Sequence, residues 1–286
     1  MKHLLIFLTL VAPLKLLAAP TIDSKEYKVM LSTANFSKSN EHQMVNQVFD
    51  EVAELTLSAT NKPLLGTSYL SKVRQVRFYD VAQVCTLKQL GYVFRERIEN
   101  DSSEVTLKYR HVDSYLSDFE DLSSQHSEAK TKLEADFSIT NNGVWKVVYG
   151  HSTKVPNSRH INEIKDINKH FVGFKSAYQI SDSTPLSPVS GLAVFERVYA
   201  GYKVDLGRQE AEFSLTLWYQ NELAETPLVA ELSFKYADKQ GDFSKTVTQR
   251  AVRLFESIAS QLSYADNTSM TKTQFIYQYQ PSYCTQ

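Results

Sequence analysis

Alternation of apolar and polar residues with a period of two dominates this chain. In "EVTLKYR", Val105, Leu107 and Tyr109 stand against Glu104, Thr106, Lys108 and Arg110. In "KLEADF", Leu133, Ala135 and Phe137 oppose Lys132, Glu134 and Asp136. Phe213, Leu215 and Leu217 oppose Glu212, Ser214 and Thr216, and Leu232, Phe234 and Tyr236 oppose Glu231, Ser233 and Lys235. Successive side chains of a strand point to opposite faces, so each run predicts a strand with one apolar and one polar side. "KEYKVMLS", "KVRQVRFYDV", "GYVFRER", "GVWKVVYG" and "AVFERVYAGYKVDLG" read as further strands. The polar step Asn100–Ser103 and the Asn-Gly pair at 142–143 predict hairpin turns.

A second periodicity marks three helices. Met44, Val48, Val52 and Leu55 share one helical face after Asn40, with Gln43 placed as in a capping box. Ile161, Ile164, Ile167 and Phe171 predict a shorter helix, capped by Asn157 or Ser158. Val247, Ala251, Leu254, Phe255, Ile258 and Leu262 form the stripe of a third. "CTLKQLG" reads as a helical turn ending at Gly91, "DSYLSDFEDLSSQHSEAK" as a polar loop, and "SDSTPLSPVSG" as a linker. The sum is an α+β protein of about eight strands, mostly antiparallel, with flanking helices. Its polar strand faces have two readings: they meet water on an open sheet, or they line the inside of a closed barrel able to hold a small ligand.

Composition narrows the class. The 286 residues carry 31 Lys plus Arg against 32 Asp plus Glu. That balance speaks against a surface given over to nucleic acid and leaves room for a local basic pocket. Lys2 and His3, the apolar "LLIFLTLVAPLKLLAA" and the small residues Ala18 and Ala19 read as a secretory signal over residues 1–19. Residues 20–286 then form one exported domain, periplasmic or secreted, with no later run long and apolar enough to span a membrane. Cys85 and Cys284 are the two cysteines. They either pair, tying the C-terminal tail to the body, or remain separate thiols.

Basic residues two apart recur on neighbouring strands: Arg95 and Arg97, then Lys108 and Arg110. With them come "EYK" at Glu26–Lys28, "FYDV" at 78–81, "FRER" at 94–97, "TLK" at 106–108, "KLEAD" at 132–136 and "AELSFK" at 230–235. In this order and spacing the motifs resemble the CYTH-like, or triphosphate tunnel metalloenzyme, superfamily, from about Glu26 to Leu262. Two positions depart from its pattern. Ser24 stands where the first Glu of E-x-E-x-K belongs, and Ser233 replaces the second Glu of the late E-x-E strand.

The resemblance implies an antiparallel β-tunnel of about eight strands that takes a triphosphate-like anion. Carried over by motif, Lys28, Arg95, Arg97, Lys108, Arg110 and Arg197 would hold phosphates. Glu26, Glu134, Asp136 and Glu231 would hold Mg2+ or Mn2+, and Glu134 and Asp136 would orient the attacking water. The implied chemistry is metal-dependent hydrolysis of a phosphoanhydride, driven by charge neutralisation and positioning. The alternative is a non-catalytic binding or interaction module of the same fold. The two serines lower the carboxylate count on which divalent-metal affinity depends.

Nothing else in the chain offers competing chemistry. His42, His111, His126, His151, His160 and His170 lack ligand spacing. No G-x-S-x-G occurs, and "GDFSKT" lacks the phosphate-loop pattern and starts a helix. Arg74 and Arg77 point to opposite faces, so at most one joins a lumen.

Overall fold

The computed structural model describes residues 19–139, 143–238, 240–266 and 270–284. The signal read over residues 1–19 lies outside the described residues except for Ala19, and the turn read at 142–143 does so except for Gly143. Nine strands form a closed barrel. They are β1 (Ser24–Leu31), β2 (Tyr69–Asp80), β3 (Tyr92–Glu99), β4 (Ser102–His111), β5 (Lys130–Ile139), β6 (Trp145–Asn157), β7 (Ser187–Asp205), β8 (Glu210–Tyr219) and β9 (Val229–Ala237). Around the ring the order is β1-β5-β6-β4-β3-β2-β7-β8-β9, and β9 pairs back to β1.

An odd number of strands cannot close with every neighbour antiparallel. The single parallel junction falls between β1 and β5, where Ser24 pairs with Glu134 and Glu26 with Asp136. The barrel is therefore mixed rather than wholly antiparallel. β7 begins at Ser187 inside the stretch read as a linker, so the strand runs through it.

Seven helices accompany the strands among the described residues. α1 (Glu41–Thr60) and α6 (Lys245–Gln261) cover the outer apolar face of β1 and β7–β9. Tyr27, Phe213, Leu215, Leu232 and Phe234 pack there against Val48, Val52, Leu254 and Phe255. α2 (Thr86–Gln89) is the turn after β2, and α3 (Ser114–Phe119) lies within the predicted polar loop. α4 (Ile164–His170) and α5 (Val172–Ala177) cover Phe94, Val105, Leu107 and Val155 on the opposite outer wall.

Helix starts differ in detail from the expected caps. Asn40 precedes α1 but makes no side-chain cap; its Oδ1 accepts from the Ser37 amide at 2.7 Å instead. Asn157 ends β6, and α4 starts later behind Glu163 in a capping box with Asp166. α7 (Lys272–Tyr279), which sequence periodicity did not reveal, packs Ile276 and Tyr277 onto Val76, Val93, Val194 and Trp218, all on the inner face of the barrel. Cys85 and Cys284 form a disulfide that fastens the chain just beyond α7 to the start of α2.

Candidate functional site

The apolar faces turn out toward the helices, so the polar faces turn in. They enclose a cavity of about 1060 Å³ lined by twelve Lys and Arg side chains and five carboxylates. Lys28, Arg95, Arg97, Lys108, Arg110, Glu26, Glu134, Asp136 and Glu231 all line it.

The β1–β5 junction carries the densest charge. The Lys28 ammonium lies 3.0 Å from Glu26 Oε2 and 3.0 Å from Asp136 Oδ1. Lys108 reaches Asp136 Oδ2 at 3.3 Å and Glu134 Oε2 at 3.5 Å. Lys132 meets Glu134 Oε1 at 2.6 Å. Ser24 donates to Glu134 Oε1 at 3.1 Å, a hydroxyl where the motif has a carboxylate.

Burial alone would raise these acids, but the lysines prevail. Lys108 and Lys132 bring Glu134 down to about 2, and Lys108, Lys28 and Arg110 hold Asp136 well below the carboxylate range. Burial opposes charge on Lys28, yet Asp136 and Glu26 raise its pKa. Burial prevails at Lys108 and lowers it.

A second cluster centres on Glu196. Its carboxylate pairs with Arg74, lies 3.8 Å from Arg97 Nε and accepts from Trp218 Nε1 at 2.8 Å. Burial pushes Glu196 up, but Arg97 and Arg74 hold it far below its ordinary value.

At the α7 end, Lys272 pairs with Glu231 at 2.8 Å, and Arg110 donates to Thr273 Oγ1 at 3.1 Å. Ser233 faces Ser214, their hydroxyls 3.0 Å apart.

Arg95 stands apart. Among the described residues it forms no ion pair. It has one long hydrogen bond, Nη2 to Thr106 Oγ1 at 3.5 Å, and a buried Nε with no acceptor. Burial, and then the neighbouring Arg97, depress its pKa well below the guanidinium range.

Arg197 is the exception among the expected cations. It points out of the barrel and donates to Glu41 Oε1 at 2.7 Å, at the start of α1. Glu41 also accepts from Tyr199 and, at 2.6 Å, from Tyr219. Neighbouring strand residues face opposite sides, so Glu196 inside requires Arg197 outside. Arg74 takes the inward place, while Arg77 lies outside, 3.7 Å from Glu96. Arg74, Glu196 and Lys272 are site residues that motif order did not bring forward. Arg74 was detectable from its shared face with Val76 and Phe78.

The strands thus close into a nine-stranded barrel with a charged lumen. No family model matches the chain, and no curated protein does. Solved structures do. One is a candidate adenylyl cyclase from Hippeastrum described as having a dominant triphosphatase activity, with 11% identity, a TM-score of 0.45, and 90% of this chain and 96% of that chain covered. A candidate adenylate cyclase from Bacillus halodurans gives 12% identity and a TM-score of 0.39 over 88% of this chain and 98% of that one. The PH1819 protein of Pyrococcus horikoshii gives 11% and 0.37 over 90% and 99%. At these values the likeness assigns no chemistry, and the reading of the site rests on its own residues.

Those residues do not fit a divalent cation. Mg2+ takes oxygen ligands in near-ideal octahedral geometry. Of the six oxygens on Glu26, Glu134 and Asp136, five meet a lysine ammonium, and Glu231 is tied to Lys272. Among the described residues no cluster of three or more His, Cys, Asp or Glu could hold a metal ion.

Proposed function

We propose that the tunnel is a receptor for a phosphate-rich anion, a triphosphate or a ligand of similar charge. The guanidinium of Arg95, which forms no ion pair among the described residues, carries this reading. A half-buried cation without an ion-pair partner is costly, and an anion entering the lumen would supply one. Arg97 and Arg110, already on the lumen wall, would complete a three-guanidinium grip suited to phosphate oxygens. Glu134 and Asp136 would hold Lys108 and Lys28 in place rather than carry a metal.

Hydrolysis is the second reading. Its support is that Glu134 and Asp136 face the lumen and stay ionised at neutral pH, as a water-orienting group must. Export accompanies both readings and is supported by the Cys85–Cys284 bond, since disulfides persist in oxidising compartments. No helix among the described residues is long and apolar enough to cross a membrane.

The test is calorimetric titration of residues 20–286 with tripolyphosphate, beside a phosphate-release assay. Binding that Arg95→Met weakens by more than about tenfold, a loss of roughly 1.4 kcal/mol, is the expected result. No heat and no thermal shift would overturn the receptor reading. Phosphate release abolished by Glu134→Gln would establish the hydrolytic one.

A further inference from the structure

We infer that Lys28 and Lys108 take the place of a divalent cation, so that the tunnel selects its polyanion free of metal. The inference rests on the receptor reading above. It begins at the β1–β5 junction, where three carboxylates converge with three ammonium groups. Glu26, Glu134 and Asp136 are balanced by Lys28, Lys108 and Lys132. A dication approaching this cluster meets no net negative charge, and charge count sets divalent affinity at carboxylate sites. To coordinate there it must first eject an ammonium from both oxygens of Asp136.

The lysines are built into position. Gly150 on β6 lies under Lys108. A Cβ there would stand 2.0 Å from Lys108 Cε and 2.6 Å from its Nζ. Only a glycine leaves this trough, and the trough lets Lys108 cross β6 from β4 to the carboxylates of β5. Lys28 is held from the other side, between Asp136 and Glu26. Lys235, paired across strands with Glu26, adds a further cation to the same wall. Ser24 completes the change: its hydroxyl donates to Glu134 where a carboxylate would add charge.

The ligand follows from this wall. A condensed phosphate complexed with Mg2+ has lost much of its negative charge and presents a cation to these lysines. The uncomplexed chain presents its full charge to a lumen in which cations outnumber carboxylates. Tripolyphosphate in EDTA should therefore bind at least as tightly as in excess Mg2+, and Mg2+ should weaken it by sequestering the ligand.

Two measurements test this. In titrations of the full chain with tripolyphosphate, equal or tighter binding in EDTA supports the inference. Tightening by Mg2+ or Mn2+ of more than about tenfold overturns it and leaves the receptor intact. Binding under neither condition overturns the receptor and, with it, the choice of ligand. The second measurement needs no anion: the free Mn2+ signal in electron paramagnetic resonance, recorded with the protein at sub-millimolar concentration. The wild-type chain should leave the signal unchanged, and stoichiometric loss overturns the inference. The Lys28→Gln/Lys108→Gln variant, folded by circular dichroism, should take up Mn2+. A folded variant that takes up none refutes the assignment to these lysines. The wild-type titration decides even where the variant does not fold.

Discussion

Replacing Arg95 by Met should make the empty protein more stable while it loses its ligand. The guanidinium sits in the wall of the barrel with one 3.5 Å hydrogen bond and no ion pair among the described residues. Burial and the charge of Arg97 both disfavour its charged form. Methionine fills much of the same space and carries no charge. Replacing buried ionic groups by apolar residues of similar volume is worth about 1–4 kcal/mol, and among the described residues Arg95 has no ion pair whose loss would offset that gain. For a chain of this length each kcal/mol moves Tm by about 2 °C, which gives a rise of roughly 2–8 °C. The assay is thermal unfolding followed by circular dichroism in a phosphate-free buffer, with tripolyphosphate titration alongside. Arg74→Met is the contrast. Removing Arg74 strips Glu196 of its closest partner and should cost about 3–5 kcal/mol. A fall in Tm for Arg95→Met would mean that the guanidinium is satisfied by the fold. A rise in Tm with unchanged affinity would remove Arg95 from the ligand site.

Acid should loosen the barrel in a defined window. Glu134 titrates at about 2 against an ordinary 4.5, so its contribution is complete above pH 4.5 and lost as pH falls toward 2. The shift corresponds to about 3 kcal/mol, and Glu134→Gln should flatten the stability profile in that range by this amount. Reducing the Cys85–Cys284 bond frees a loop spanning 199 residues, which the chain-entropy model values at about 5 kcal/mol. Denaturant melts with and without reductant measure it, and amide exchange should quicken first in α7. Arg197→Met should destabilise through the stranded Glu41 yet leave tripolyphosphate affinity unchanged, which a paired melt and titration will read.

Much of the tunnel was legible because a strand's period of two is rigid. Once Leu107 is known to be buried, Thr106, Lys108 and Arg110 must share the other face, and the structure places all three in the lumen. The same rule could not resolve β7. Val194, Glu196 and Val198 alternate with Phe195, Arg197 and Tyr199, and both sets mix apolar and charged residues. Motif order then favoured Arg197, whereas Glu196 faces inward with Arg74. Capping failed at Asn40 because its side chain had a nearer donor in the Ser37 amide. The segment "KTQFIYQY" buries only Ile276 and Tyr277, too few for a helical stripe, so α7 stayed hidden. The parallel junction was invisible for a different reason: no local residue encodes which distant strand lies alongside.

That junction governs assembly. β1 leaves the biosynthetic machinery before every other strand, yet the strands it pairs with among the described residues are β5 and β9. Its place against β5 lies 110 residues along the chain, and its place against β9 does not exist until the last strand has been made. Contacts so distant in sequence form slowly. Until they form, the sheet has two bare edges, with Lys132, Glu134 and Asp136 along one and Glu231 and Lys235 along the other. Those charges, which face inward in the finished barrel, are the kind that discourage an open sheet edge from pairing with another molecule. The residues that would grip an anion in the completed tunnel thus guard the chain while the tunnel is still a sheet.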